Sequence, residues 1–203
     1  MIHSSKILIT SALAGALLLA GCEQATQETE VHGSVLRTRL LTGAQYANTI
    51  AQVFGEDVSD SVIPPMPLMA RREGLLSSGA AFAGVTSDQI SQIQLSAASV
   101  ASKVVDESHR DFLIPCKPEI TAEADPSCAR QFLEQTGRFL YRQPLGEERL
   151  EELVNIAGYA AQQTEDFYDG LALALESILV SPEVLFIADR AEPDPNNPGQ
   201  LRL

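Results

Sequence analysis

The sequence has no tryptophan, and aromatic residues make up only 5% of its 203 positions. Glycan-binding surfaces stack sugars on large aromatic side chains, so this composition disfavours a carbohydrate-binding role for the chain. Basic residues are also few, 14 against 27 acidic ones, which gives a formal net charge of −13. Because nucleic-acid binding needs a basic surface, we expect no nucleic-acid partner.

Common motifs of catalysis and cofactor binding are also missing. The chain contains no H-E-x-x-H, C-x-x-C-H, P-loop, G-x-G-x-x-G or G-x-S-x-G motif. The lack of C-x-x-C-H excludes covalent attachment of c-type haem within this sequence. We therefore expect no cofactor and no metal site in this chain. Whether the protein is an enzyme stays open at this point.

The N-terminus has the pattern of a bacterial lipoprotein signal peptide. Lys6 precedes an apolar run, Ile7–Leu19, that is too short for a permanent membrane span. The run ends in Leu19-Ala20-Gly21-Cys22, the pattern that lipoprotein processing recognises. We predict a signal peptide over residues 1–21 and lipid on Cys22, with diacylglycerol on the thiol and an acyl chain such as palmitate on the new amino terminus. The alternative is an ordinary cleaved signal with an incidental cysteine.

Lipid on Cys22 would make the membrane a partner and the bacterial cell envelope the location, because several acyl chains anchor stably. Glu23, rather than Asp, follows the cysteine, which favours the outer membrane by resemblance to enterobacterial sorting. Whether the protein faces the periplasm or the cell surface stays open. Residues 22–37 are polar with few large apolar side chains, and we predict a flexible tether there.

Beyond the tether, apolar residues recur every three or four positions, the period of an amphipathic helix. We predict an all-α fold, an irregular bundle of about five to six helices. In chain order, the predicted elements are Thr42–Phe54 with Gly55 as its stop, a less regular element over Arg72–Phe82, Thr86 to about Glu107, Asp125–Leu140 ended by Pro144, Gly146 to about Gln163, and Glu165–Val180. Three prolines make residues 62–69 extended or irregular.

The same patterns predict burial and domain boundaries. The helix from Thr86 carries one apolar stripe, and the last helix is apolar on most sides, as a central helix would be. The predicted stripe consists of Ile90, Ile93, Ala97, Val100 and Val104. We divide the chain into an N-terminal helical module over residues 38–115, a second over 116–190, and a linker over 191–203 that begins a missing downstream domain.

Cys116 and Cys128 lie twelve positions apart in a chain predicted to be exported. Thiols tend to pair in an oxidising compartment, so we predict a structural disulfide. The alternative is a redox-active or metal-binding pair. It is disfavoured because the C-x-x-C spacing and a nearby histidine are both missing.

Three residues are weak candidates for catalysis. Asp166 and Asp169 form an acidic pair at the start of the last helix, and His109 lies in a polar cluster at a helix end. Paired acids or a histidine can perform general acid–base chemistry. The alternatives are capping charges for the two acids and a solvated cation near a helix C-terminus for His109. Arg142 is predicted to pair with Glu147 or Glu148, or to cap the helix that it ends.

Three ordered motifs resemble a family of large multi-domain secreted proteins known from planctomycetes, whose domains of unknown function often stand beside cytochrome-c modules. The matching residues are Tyr46, Asn48, Thr49 and Gly55; Arg138-Phe139-Leu140-Tyr141-Arg142-Gln143-Pro144-Leu145; and Phe167, Gly170-Leu171, Ser181-Pro182 and Leu185-Phe186. Gln143 replaces an arginine of the family pattern. The resemblance carries over no catalytic residue.

The resemblance implies the N-terminal portion of a redox-linked secreted protein. Its expected partners are a c-type cytochrome or downstream domains of the same protein. Our leading hypothesis is therefore a non-catalytic helical scaffold. The rivals are an enzyme whose acids lie in a cleft completed by missing domains, and a module that binds a partner protein or glycan. The substrate, redox partner and oligomeric state are not defined by the sequence.

Overall fold

The computed structural model describes residues 37–60, 85–189, 192–197 and 199–202. Its contacts divide the chain into two units, and the larger one contains the described residues up to 189. The described part is mostly helical, which confirms the all-α prediction. The predicted signal peptide, the extended segment over 62–69 and the element over Arg72–Phe82 lie outside the described residues.

Eight helices and one small sheet make up the described part of the larger unit. The helices are α1 Gly43–Phe54, α2 Glu56–Ser59, α3 Ser87–Val105, α4 Arg110–Leu113, α5 Pro126–Leu140, α6 Glu147–Thr164, α7 Phe167–Leu179 and α8 Pro182–Leu185. Strands β1 Arg37–Leu40 and β2 Phe186–Asp189 pair antiparallel. The sequence did not predict this sheet because four residues are too few to show an alternating pattern. In the smaller unit, β3 Glu192–Pro193 pairs antiparallel with β4 Leu201–Arg202.

The main helices begin where the capping residues predict. In α1, the Thr42 hydroxyl accepts from the Gln45 amide at 3.2 Å while the Gln45 side chain accepts from the Thr42 amide at 3.0 Å. Thr86 and Gln89 form the same capping box at the start of α3. Asp125 caps α5, with proline in the first turn. A cap of this kind stabilises a helix by about 1 kcal/mol.

Helix α7 is the centre of the larger unit and packs against α3, α5 and α6. The five apolar side chains on which the prediction of a central, buried helix rested are at most 2% exposed, which confirms that prediction; they are Phe167, Leu171, Leu175, Ile178 and Leu179. Leu173, on the outer side of the same helix, is 44% exposed. Helices α6 and α7 are in close contact at Gly170. A Cβ atom there would overlap the Ala157 carbonyl oxygen and the Ala161 backbone nitrogen.

Helix α3 differs from its prediction in two details. Ile90, the first residue of the predicted buried stripe, is 57% exposed, whereas Ile93, Ala97, Val100 and Val104 are buried. The helix also ends at Val105 rather than near Glu107, because Asp106 adopts an extended conformation. Helix α3 and α7 pack together although they come from the two predicted modules; the boundary at residue 115 stays a prediction. Among the described residues, no helix is long and apolar enough to cross a bilayer.

Candidate functional site

His109 lies between two carboxylates where α2, α3 and α4 meet. Its Nε2 atom is 2.7 Å from Oδ2 of Asp57, and its Nδ1 atom is 2.7 Å from Oδ1 of Asp106. An ionised carboxylate only accepts hydrogen bonds, so both ring nitrogens need a proton to satisfy this geometry. The hydrogen bonds to Asp106 and then to Asp57 accordingly raise the pKa of His109 above its ordinary 6.5.

Further polar contacts surround this His109 cluster, which we define as Asp57, Lys103, Asp106, Ser108 and His109. Lys103 donates to the Asp57 carbonyl oxygen at 2.6 Å and lies 3.3 Å from its carboxylate. Hydrogen bonds from His109 and Lys103 lower the pKa of Asp57. Burial acts to raise the pKa of Asp106, but hydrogen bonds from Ser108 and His109 outweigh it and lower that pKa to about 2.

The His109 cluster joins segments of the fold. Because the ring nitrogens of His109 point to opposite carboxylates, neither is free to take a proton from a substrate in this arrangement. The two carboxylates also lie on opposite edges of the ring, so they do not converge on one point. Within the described ranges, no three His, Cys, Asp or Glu side chains form a group suited to a metal ion.

The acidic pair has a local role at the start of α7. Asp166 is the N-cap, and its Oδ1 atom accepts from the amides of Tyr168 at 2.7 Å and Asp169 at 3.3 Å. The Asp169 side chain is exposed in the first turn. The structure therefore gives Asp166 the capping role that was the alternative to catalysis. No hydrogen bond or ion pair among the described residues joins His109 to either acid, and their catalytic assignment stays a prediction.

The predicted bridge between Cys116 and Cys128 is confirmed, with 5.6 Å between the two Cα atoms. That separation lies within the usual range for a disulfide. The bridge fastens the loop after α4 to the first turn of α5. The same loop reaches α7, because the Phe167 amide donates to the Thr121 carbonyl oxygen at 2.7 Å. The disulfide thus helps to position the start of the central helix.

The partners predicted for Arg142 were wrong. Its guanidinium donates to three backbone carbonyls at the end of α8, those of Glu183 at 3.0 Å, Val184 at 3.2 Å and Phe186 at 3.1 Å. The left-handed backbone of Arg142, with φ of 60°, accompanies this contact with α8. Arg130 instead makes the ion pairs with the start of α6, at 2.7 Å to Glu147 and 2.8 Å to Glu151.

An apolar groove of about 590 Å³ lies between the start of α3 and the α8–β2 corner. Among the lining residues that the structure describes, Gln94 is the single polar one; the others are Val85, Ile90, Ile93, Val180, Pro182, Leu185 and Phe186. Ile90, which the helical pattern predicted to be buried, forms part of the wall of this groove. A concave apolar surface of this size can receive apolar side chains from another segment or protein.

A protein-family model described as "PSD5: Protein of unknown function (DUF1595)" matches residues 128–189. The matched region runs from the first turn of α5 through α6 and α7 to the end of β2. Over this region the chain is similar to a domain family of unknown function. No curated protein and no solved structure matches the chain.

Proposed function

We propose that this chain is a non-catalytic helical scaffold, anchored by lipid at Cys22 in the bacterial cell envelope and forming part of a larger redox-linked secreted protein. One observation carries the scaffold role: the side chains of two catalytic candidates are engaged in hydrogen bonds within the fold, His109 to Asp57 of α2 and Asp166 to the first amides of its own helix α7. In this proposal the redox group belongs to a c-type cytochrome partner or a downstream domain, and this chain holds no cofactor of its own.

Protein stability distinguishes a scaffold from an enzyme here. Groups that hold helices together stabilise the fold, so removing them lowers the free energy of unfolding. Active-site groups are often kept in unfavourable surroundings, and removing them commonly leaves stability unchanged or raises it. Asp166 accepts two amide hydrogen bonds at the start of the buried central helix α7, which supports a structural role for this residue.

The test compares Asp166→Ala with Asp169→Ala by urea unfolding at neutral pH. Both residues are acids in or next to the first turn of α7, but only Asp166 accepts its amide hydrogen bonds. We expect Asp166→Ala to lose about 1 kcal/mol of unfolding free energy, and Asp169→Ala to stay within about 0.5 kcal/mol of the parent chain. If Asp166→Ala were as stable as the parent chain, the result would favour the rival hypothesis of an enzyme.

The anchor proposal rests on the Leu19-Ala20-Gly21-Cys22 pattern. The intact chain is produced in a bacterium and the inner and outer membranes are separated. The mass of the N-terminal peptide is then determined by mass spectrometry. We expect a peptide that begins at Cys22 and carries diacylglycerol and a further acyl chain, recovered with the outer membrane. The Cys22→Ala variant should lose the lipid. An unmodified Cys22 in the mature parent chain would overturn the proposal.

The downstream part of the same polypeptide is the proposed occupant of the apolar groove. Phe186 both lines the groove and begins β2, which ends at Asp189 near the C-terminal end of the sequence. Burying the exposed apolar surface of Ile90 against another segment would contribute a favourable free energy of roughly 25 cal/mol for each Å² buried. This exposed apolar groove supports the proposal that a following module packs here.

The groove is tested in the complete polypeptide read from the gene and in residues 22–203 alone. Ile90→Asp should lower the thermal unfolding temperature more in the complete polypeptide than in the shorter chain. Gln92→Asp, on an exposed part of the same helix, is the control and should affect both equally. Equal losses for Ile90→Asp in the two polypeptides, or a coding region that stops after Leu203, would contradict this occupant.

A further inference from the structure

The bond between His109 and Asp57 links residues that lie 52 positions apart. Asp57 belongs to the short helix α2, whereas His109 lies in the turn between α3 and α4. We propose that the His109 cluster is a proton-dependent clasp, which fastens α2 to the α3–α4 turn when the imidazole is protonated and loosens α2 when the proton leaves. This inference goes beyond the scaffold role and does not depend on the lipid anchor.

The geometry needs two N–H groups on one imidazole ring. A neutral imidazole has a single N–H, so one nitrogen would then present a lone pair to a carboxylate oxygen 2.7 Å away. Such a contact is repulsive and must lengthen. Protonation therefore decides whether both carboxylates can stay in contact with the ring.

Loss of the proton should weaken the contact with Asp57 and leave the one with Asp106. Asp106 is three residues from His109, and its Oδ1 atom also accepts from the His109 amide at 3.0 Å and the Ser108 hydroxyl at 2.7 Å. These local bonds keep Asp106 beside Nδ1. The Ser108 hydroxyl oxygen also lies 2.9 Å from Nδ1 and, while it donates its proton to Asp106, it can accept from the same N–H. Both acceptors favour the neutral form that keeps its proton on Nδ1. Asp57 comes from a different helix and can move away, so the change is transmitted to α2.

The other charged groups around the ring define how far α2 can move. Lys103 holds α2 independently of the imidazole, because its ammonium group donates to the Asp57 backbone oxygen at 2.6 Å. Arg110 pairs with Glu107 and lies over the Tyr168 ring. Val58, a residue of α2 itself, is fully buried in the core. The expected response is therefore a loosening of α2 against the core, not its release.

The direction of the pH dependence follows from the raised pKa of His109. A group with a higher pKa in the folded state contributes stability below its unfolded pKa. That contribution is lost as pH rises through the folded value. The clasp is therefore closed at mildly acidic pH and opens on the alkaline side of 6.5, the ordinary value for histidine.

The experiment follows two NMR signals of residues 22–203 across pH 5 to 9, approximate limits that bracket histidine titration. The His109 Cε1 proton, assigned by its loss in His109→Gln, reports protonation. The Val58 methyl groups report the packing of α2. Asp57→Asn removes the distant carboxylate, and Asp60→Asn removes an exposed carboxylate next to α2 that makes no bond to His109.

The clasp predicts that His109 titrates above 6.5 and that the Val58 methyl signals move with the same midpoint. Asp57→Asn should lower the His109 midpoint and uncouple Val58 from it, while Asp60→Asn should leave both unchanged. Three results would each overturn the proposal. They are a His109 titration midpoint at or below 6.5, Val58 methyl signals that do not change with His109 protonation, and equal changes of the His109 midpoint in the two aspartate variants.

Discussion

The close contact of α6 and α7 at Gly170 makes a prediction with a definite sign. Gly170→Ala would place a methyl group on the Ala157 carbonyl oxygen and the Ala161 backbone nitrogen. Both are backbone atoms and have no rotamer change that could relieve the overlap. The two helices must therefore move apart. Overpacking of this kind costs about 1–3 kcal/mol, and more where backbone must shift.

A helical propensity term opposes this cost. Alanine is better than glycine inside a helix by up to about 1 kcal/mol. The contact is with backbone at both atoms, so we take the upper part of the overpacking range and expect Gly170→Ala to lose roughly 1–2 kcal/mol net. For a chain of this size, each kcal/mol corresponds to about 2–4 °C in the unfolding temperature.

Gly158→Ala in α6 is the matched control. A Cβ atom there would lie 3.9 Å from the Ala124 side chain, an ordinary van der Waals contact. Only the higher helix propensity of alanine then affects stability. We therefore expect Gly158→Ala to be at least as stable as the parent chain, and more stable by up to about 1 kcal/mol. Thermal unfolding followed by circular dichroism measures both variants. A Gly170→Ala chain as stable as Gly158→Ala would refute the packing of α7 on α6.

Three further predictions concern the core, the disulfide and the acid range. Ile178→Ala in the buried face of α7 should cost about 2–5 kcal/mol in urea unfolding, whereas Leu173→Ala, 44% exposed on the same helix, should cost far less. Replacing Cys116 and Cys128 together by serine should lower the unfolding free energy by about 2–3 kcal/mol, as reduction of the parent chain should; no change on reduction would contradict the bridge. The pKa of Asp106 is lowered to about 2 from 3.8, so its stabilising contribution is present above 3.8 and lost as pH falls toward about 2. An acid titration of unfolding should therefore show a smaller loss over this range in Asp106→Asn than in the parent chain.

Features that depend on neighbouring residues could be predicted from the sequence. The Thr86 and Gln89 capping box is a pattern of four consecutive positions, and it places the start of α3 correctly. The apolar character of α7 on most sides likewise predicted its central position. The pairing of Cys116 with Cys128 followed from their number and the expected compartment, without knowledge of the fold.

Features that depend on distant residues could not be predicted in the same way. Asp57 and His109 are 52 positions apart, and the residues around each of them do not indicate which distant residue it contacts. Ile90 lines a groove together with the α8–β2 corner, which meets α3 only in the folded chain. Arg142 bonds to carbonyls of Glu183, Val184 and Phe186, from 41 to 44 positions along the chain, rather than to the nearby Glu147. Local charge pairing is a weak guide where a side chain can reach backbone acceptors elsewhere.

The central claim is that the candidate catalytic groups serve the fold. The most direct test is the thermal unfolding temperature of the double variant His109→Gln/Asp166→Ala, measured beside the parent chain at pH 6, a value below the ordinary histidine pKa of 6.5. The scaffold account predicts a lower temperature for the double variant, because it loses both the link to α2 and the cap of α7. An unfolding temperature equal to or above that of the parent would contradict the account and favour an active site at these residues.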